Sequence, residues 1–141
     1  MNAARVRLST LLRLGAPELI RMLAEEAATA ATAEGSAHPT SADEYEAFLA
    51  RLVPRALDAV GASDRDRAVM LASLAHGQTG VAIKPVPPVA RVGLLSIGLR
   101  VSREHVERTV AGQPEAAAIL KEFDDFARDL RAALAPVATR S

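Results

Sequence analysis

The strongest constraint on the fold is the spacing of apolar residues, which recur every three or four positions in two long segments. In residues 42–60 and 114–135 this spacing matches the α-helical period and would place the apolar side chains on one face. The two stripes are Tyr45, Phe48, Leu49, Leu52, Val53, Ala56, Leu57 and Val60, and Ile119, Leu120, Phe123, Phe126, Ala127, Leu130 and Leu134. Such stripes must be buried against other elements, so the sequence predicts packed amphipathic helices.

The composition supports an all-α fold. Half of the 141 residues are hydrophobic, yet the chain has one tyrosine, three phenylalanines and no tryptophan. Alanine and leucine, both strong helix formers, supply most of the apolar surface. We therefore predict a single domain over residues 1–141, built as a compact bundle of five to seven helices.

Glycine, proline and serine mark the predicted helix ends. Gly15 and Pro17 should divide the N-terminal region into two helices, because glycine often ends a helix and proline fits the first helical position. Ser41 and Glu44 form a capping box for the next helix, which Pro54 should kink. The predicted helices cover residues 3–14, 17–33, 42–60, 64–76 (after Ser63), 89–100, 103–111 (after Ser102) and 114–135.

Three segments are predicted to be non-helical. A flexible loop is expected at about 35–41, and a short polar C-terminal tail at 136–141. The segment at about 78–88 contains Pro85, Pro87 and Pro88, and prolines at this density favour an extended strap.

The strap leads into a segment that is apolar nearly all round, VARVGLLSIGL, which predicts a central helix buried on most sides. Gly93, Ser96 and Gly98 remove side-chain bulk from this helix. Close packing of a neighbouring helix would explain them. The alternative is a ligand pocket against their face, as in a small-molecule sensor.

Charge and residue types exclude several classes of function. Seventeen basic residues balance seventeen acidic ones, so the net charge is zero. This argues against a protein whose main function is to bind phosphate backbones or anionic membranes. The absence of cysteine excludes disulfides, thiolate nucleophiles and cysteine-based zinc sites. No apolar run is long enough to span a membrane, and no two histidines have the spacing of a helical metal pair. We expect a cytoplasmic protein without a cofactor.

The charged runs are interpreted as solvent-facing. The run DRDR at 64–67 is typical of a helix N-terminus. The acidic residues of the last predicted helix should form a solvated face with local ion pairs to Arg128 and Arg131. They are Glu122, Asp124, Asp125 and Asp129.

Residues 94–112, LLSIGLRVSREHVERTVAG, resemble a helix-turn-helix unit. Ser96 takes the small position of the first helix, Val101 and Ser102 the turn, and Val106 the core position. The resemblance implies a DNA-binding regulator whose major-groove residues are Ser102, Arg103, Glu104, Glu107 and Arg108. It departs from the pattern at Arg100, where the turn glycine usually stands.

Arg100 and His105, separated by four residues, resemble the signature of the HEPN ribonucleases. That resemblance implies an arginine and a histidine that meet at a dimer interface and act on an RNA phosphate. Val101 stands where those proteins commonly have a polar residue. This pair is the one enzymatic hint in the sequence, and we predict a protein that is not an enzyme.

We interpret the chain as a non-catalytic helical interaction or regulatory module. It is expected to form a homo-oligomer, with a dimer favoured, or to dock on another protein. DNA binding and small-molecule sensing remain alternatives. The apolar stripes could serve as interface or as core. The interface candidates are Tyr45, Phe48, Leu52, Phe123, Phe126 and Leu130.

Overall fold

The computed structural model describes residues 3–33, 41–75 and 88–138, and these residues form five α-helices. The helices are α1 (Ala3–Ala33), α2 (Ala42–Gly61), α3 (Asp64–Ala75), α4 (Pro88–Val110) and α5 (Ala116–Ala138). The prediction of an all-α chain is confirmed over these ranges. The predicted loop at about 35–41 lies outside the described residues, except for Ser41. The predicted strap at about 78–88 also lies outside them, except for Pro88, where α4 begins.

The N-terminal region is one helix, so the predicted break at Gly15 and Pro17 is wrong. The reason is the apolar stripe of α1, which keeps its helical register across the break. Leu8 and Leu12 before it, and Leu19 and Leu23 after it, are all buried in the core. Burial of this continuous stripe outweighs the helix-breaking tendency of one glycine and one proline.

The predicted starts of α2 and α3 are confirmed. In the capping box of α2 the Glu44 amide donates to Ser41 Oγ at 3.1 Å, and the Ser41 amide donates to Glu44 Oε1 at 3.1 Å. At the start of α3 the Asp66 amide donates to Ser63 Oγ at 3.2 Å. Pro54 lies inside α2, as the sequence indicated.

A single helix, α4, replaces the two helices predicted at 89–100 and 103–111. Leu94, Leu99, Val101, Val106 and Val110 are buried along its length. Among them, Leu99, Val106 and Val110 fall on one face that continues across Ser102, so the chain gains core burial by remaining helical there. The predicted end of the last helix is also wrong, because α5 continues through Pro136 to Ala138.

The core lies where α1 packs against α2, α4 and α5. Helix α4 also packs against α5, while α3 bridges α2 and α5. The most deeply buried apolar side chains come from several helices and include Leu8, Val60, Val106, Ile119 and Phe123. Among the described helices, none combines the length and the hydropathy needed to cross a bilayer.

Candidate functional site

The most unusual side chain in the core is Arg67, which is 1 % exposed. It lies at the end of the first turn of α3, where its side chain reaches the C-terminal end of α2. Its Nε donates to the carbonyl of Ala59 at 3.1 Å, and its Nη2 donates to the carbonyl of Val60 at 3.0 Å. These carbonyls belong to the last turn of α2, where the regular helical hydrogen bonds end. The Ala59 carbonyl also accepts from the Ala62 amide at 3.3 Å. Arg67 therefore caps α2 from inside the protein.

The same guanidinium is also held by α5. Its Nη1 lies 3.3 Å from Asp129 Oδ2, and its central carbon lies 5.5 Å from the centre of the Phe126 ring. A carboxylate and an aromatic face are both favourable surroundings for a cation. Arg67 thus joins α2, α3 and α5, and its charge is neutralised where it is buried.

A second cluster, around Arg5, joins the start of α1 to the rest of the bundle. Arg5 Nε lies 3.0 Å from Glu122 Oε2, Nη2 lies 2.9 Å from Asp64 Oδ1, and Nη1 donates to the Ala62 carbonyl at 2.9 Å. Burial opposes the charged form of Arg5, but hydrogen bonds to Glu122 and Asp64 outweigh it and raise the pKa of the guanidinium. Glu122 is 7 % exposed, so its predicted place on a solvated face is wrong.

In both clusters, the charged groups form hydrogen bonds and ion pairs with neighbouring residues of the chain. In residues 3–33, 41–75 and 88–138, every buried side-chain nitrogen or oxygen has a hydrogen-bond partner. The same ranges contain no group of three or more metal-ligating side chains. The two clusters are suited to holding helices together, since their charges are already neutralised by neighbouring side chains.

The predicted DNA-binding residues lie on a continuous helix, so the turn expected at Val101 and Ser102 is wrong. Ser102 is an interior residue of α4 and opens no recognition helix. Arg103 binds Asp124 of α5, with Nε at 2.9 Å from Oδ1, and also pairs with Glu107. The hydrogen bond to Asp124 raises the pKa of Arg103. Glu104 and Arg108 are exposed on the same helix.

Arg100 and His105 also lie on α4, but they contact different parts of α1. Arg100 pairs with Glu26, whose hydrogen bond raises the pKa of the guanidinium, and with Glu104 on its own helix. His105 packs against Gly15 so closely that a Cβ at position 15 would lie 2.6 Å from its Nε2. Each side chain thus has a packing or ion-pair role within the bundle.

The predicted pocket residues are not brought together on one cavity wall. Gly93 and Ser96 are exposed, and a Cβ added to Gly93 would meet no atom within 4 Å. Gly98 faces α1, where a Cβ would lie 3.9 Å from Leu23 Cδ2, an ordinary contact distance. The close packing that the sequence predicted at these glycines occurs instead at Gly15.

Most of the interface candidates are buried in the chain's own core. Tyr45, Phe123, Phe126 and Leu130 are buried within the chain, so of the two roles that the sequence left open these four residues take the core role here. The other two candidates, Phe48 and Leu52, are half-buried and pack against the core.

A different apolar surface remains exposed, on α3. This helix buries Arg67, Leu71 and Leu74, which fall on one narrow stripe. On its other side Val69 is 66 % exposed, and Ala68 and Ala72 are exposed as well. Met70 is 40 % exposed. We define the outer face of α3 as Arg65, Asp66, Ala68, Val69 and Ala72.

The sequence did not indicate this surface, because α3 carries no simple amphipathic pattern. Its buried stripe begins with an arginine, and its exposed side contains valine and alanine. The order of apolar and polar residues therefore gave no indication of which side was buried. One feature of the sequence could have identified this surface. Apolar residues occur on every side of α3, and such a helix has more apolar surface than a single contact with the core covers.

Comparison with known proteins finds no match for this chain among protein-family models, curated sequences or solved structures.

Proposed function

We propose that this protein is a non-catalytic helical module that self-associates through the outer face of α3. The observation that carries the proposal is Val69, a large apolar side chain 66 % exposed on the side of α3 opposite its buried stripe. Ala68 and Ala72 beside it are small and exposed, so a second helix could approach α3 closely.

The balance of charge favours a second copy of the chain as the partner. With seventeen basic and seventeen acidic residues, two copies carry no net charge that would drive them apart. Twofold symmetry is the commonest arrangement of soluble oligomers, and it lets one apolar face cover its own counterpart.

The size of the outer face sets the expected strength of the dimer. One side of a three-turn helix buries less than the roughly 800 Å² per partner of a standard interface. We therefore expect a reversible dimer with a dissociation constant of about 1–100 µM, which corresponds to roughly 5–8 kcal/mol of association free energy.

Sedimentation velocity over a range of protein concentrations tests this function. The unmodified chain should shift from monomer to dimer as concentration rises, and Val69→Asp should remain a monomer with an unchanged melting temperature at low concentration. The matched control is Leu14→Asp on α1, which replaces another exposed apolar residue, 78 % exposed, and should leave dimerisation unchanged.

Two outcomes contradict the proposal. One is a chain that remains monomeric throughout the micromolar range. The other is a dimer that Val69→Asp does not weaken, because its interface would then lie away from α3.

A further inference from the structure

The outer face of α3 carries one cation and one anion on opposite sides of Val69. Arg65 lies four residues and Asp66 three residues before Val69. At 3.6 residues per turn, Arg65 is therefore about 40° to one side of Val69 and Asp66 about 60° to the other. Both are exposed, and neither side chain forms an ion pair with the part of the chain that the structure describes.

This arrangement contrasts with the neighbouring charges. Asp64 is paired with Arg5, and Arg67 with Asp129. In the run DRDR, the outer two residues are thus used within the bundle, while the inner two face away from it.

We infer that two copies of the chain pair through α3 in parallel orientation, with Arg65 of each copy bound to Asp66 of the other. This inference rests on the proposed function and specifies the geometry of that self-association. When two parallel helices pack face to face about a twofold axis, the left side of one faces the right side of the other. Arg65 and Asp66 differ by one residue in height, about 1.5 Å, so they lie nearly level across such an interface.

The opposite orientation leaves these charges without partners. In an antiparallel pair centred on Val69, Arg65 lies level with Ser73 of the second copy, and Asp66 lies level with Ala72. Neither residue can balance a charge. The charge pattern therefore selects the parallel pair, and it does so with two equivalent ion pairs around a central Val69 contact.

The pairing can be tested with two single variants and their mixture. Arg65→Asp places two acidic side chains on the outer face, and Asp66→Arg places two basic ones there. Each variant alone would set like charges against each other across the twofold axis, so each should dimerise at least tenfold more weakly than the unmodified chain. An equimolar mixture should form a heterodimer, because every acidic side chain then meets a basic one. Sedimentation velocity measures all three samples.

The double variant Arg65→Asp with Asp66→Arg exchanges the two charges and should restore the homodimer. Adding Val69→Asp to both single variants controls for general attraction between oppositely charged proteins, and this mixture should stay monomeric. Thermal melts of each variant at low concentration show whether the monomer is intact.

The failure of the inference is distinct from the failure of the function. If the unmodified chain dimerises and Val69→Asp abolishes the dimer, but the mixture and the double variant do not associate, the reciprocal pairing is wrong while the α3 interface stands. If Val69→Asp has no effect on a dimer, or if no dimer forms, the proposed function fails together with the inference.

Discussion

Arg67 and Asp129 form an ion pair at 3.3 Å in which the arginine is buried and the aspartate is half-buried. They lie on α3 and α5, far apart in sequence, and the guanidinium also closes the end of α2. The short helix α3 has few apolar contacts of its own, because its buried stripe comprises Arg67, Leu71 and Leu74. A charged side chain thus provides a central part of its attachment.

Replacing Arg67 should therefore destabilise the whole bundle. Arg67→Ala leaves the carbonyls of Ala59 and Val60 without their buried donor and Asp129 without its partner, at a cost of about 3 kcal/mol in the free energy of unfolding. Arg67→Lys should cost less, because an ammonium can still reach Asp129 but cannot match the planar fork that binds both carbonyls. Urea denaturation measures both. Arg131→Ala, an exposed site on α5, serves as the control and should change stability by less than about 0.5 kcal/mol. Equal stability of Arg67→Ala and the unmodified chain would contradict this role.

Glu122 should also stabilise the fold, because it is the buried partner of Arg5 at the start of α1. Glu122→Ala leaves the buried side of Arg5 without its carboxylate, and we expect a loss of about 2 kcal/mol in urea denaturation. Asp64→Ala removes the other carboxylate bound to Arg5, but that side chain is highly exposed. Its loss should cost less than about 1 kcal/mol. The prediction is wrong if the two variants lose equal stability.

The sequence predicted the class of fold and the helix starts that depend on neighbouring residues. The capping box of Ser41 and Glu44 and the Ser63 cap are local hydrogen bonds, so the sequence alone determines them. The burial of Arg67 could not be predicted in this way. It depends on Asp129 and on the end of α2, and the run DRDR does not indicate which of its members faces the core.

The breaks predicted in α1 and α4 failed for a different physical reason. Gly15, Pro17 and Ser102 weaken a helix locally, whereas Leu8 to Leu23 and Leu94 to Val110 stabilise it over several turns through burial. Following the register of the apolar stripe across Gly15 would have predicted one continuous helix. Local signals alone gave the wrong result.

Gly15 should resist replacement, because its missing side chain makes room for His105. In Gly15→Ala the new Cβ would lie 2.6 Å from Nε2 if nothing moved, so the imidazole must rotate away. We expect little or no gain in stability from this variant. In a His105→Ala background, the same change should gain up to about 1 kcal/mol through helix propensity. Gly93→Ala is the control, since its Cβ would meet no atom within 4 Å and should gain stability in either background. Thermal denaturation of the double-mutant cycle measures the coupling, and a coupling of zero would contradict the packing of His105 on Gly15.

Asp125 should contribute to the pH dependence of stability. Its hydrogen bond to Lys121, at 2.9 Å, lowers the pKa of Asp125. A carboxyl with a lower pKa in the folded state stabilises the fold fully above its unfolded pKa of about 3.9, and this contribution is lost as the pH falls through the folded pKa. Lys121→Met removes the largest cause of the shift, while the charges of Arg128 and Arg67 still lower this pKa, so it should reduce the loss of stability on acidification below about pH 4. Urea denaturation at a series of acidic pH values measures the difference. Identical acid profiles would show that this pair is not coupled to folding.

Phe126→Asp distinguishes core from interface on α5. Phe126 is 5 % exposed within the chain, and its ring lies over the guanidinium of Arg67. An aspartate there leaves a cavity in place of the ring and adds a second buried carboxylate beside a guanidinium that already pairs with Asp129, so we expect a loss of at least about 3 kcal/mol. The expected result is an unfolded or strongly destabilised chain by circular dichroism. A folded, soluble monomer would instead place an interface on α5 and contradict the assignment of Phe126 to the core. The contrast with Val69→Asp is decisive, because that variant should lose the dimer and keep the fold.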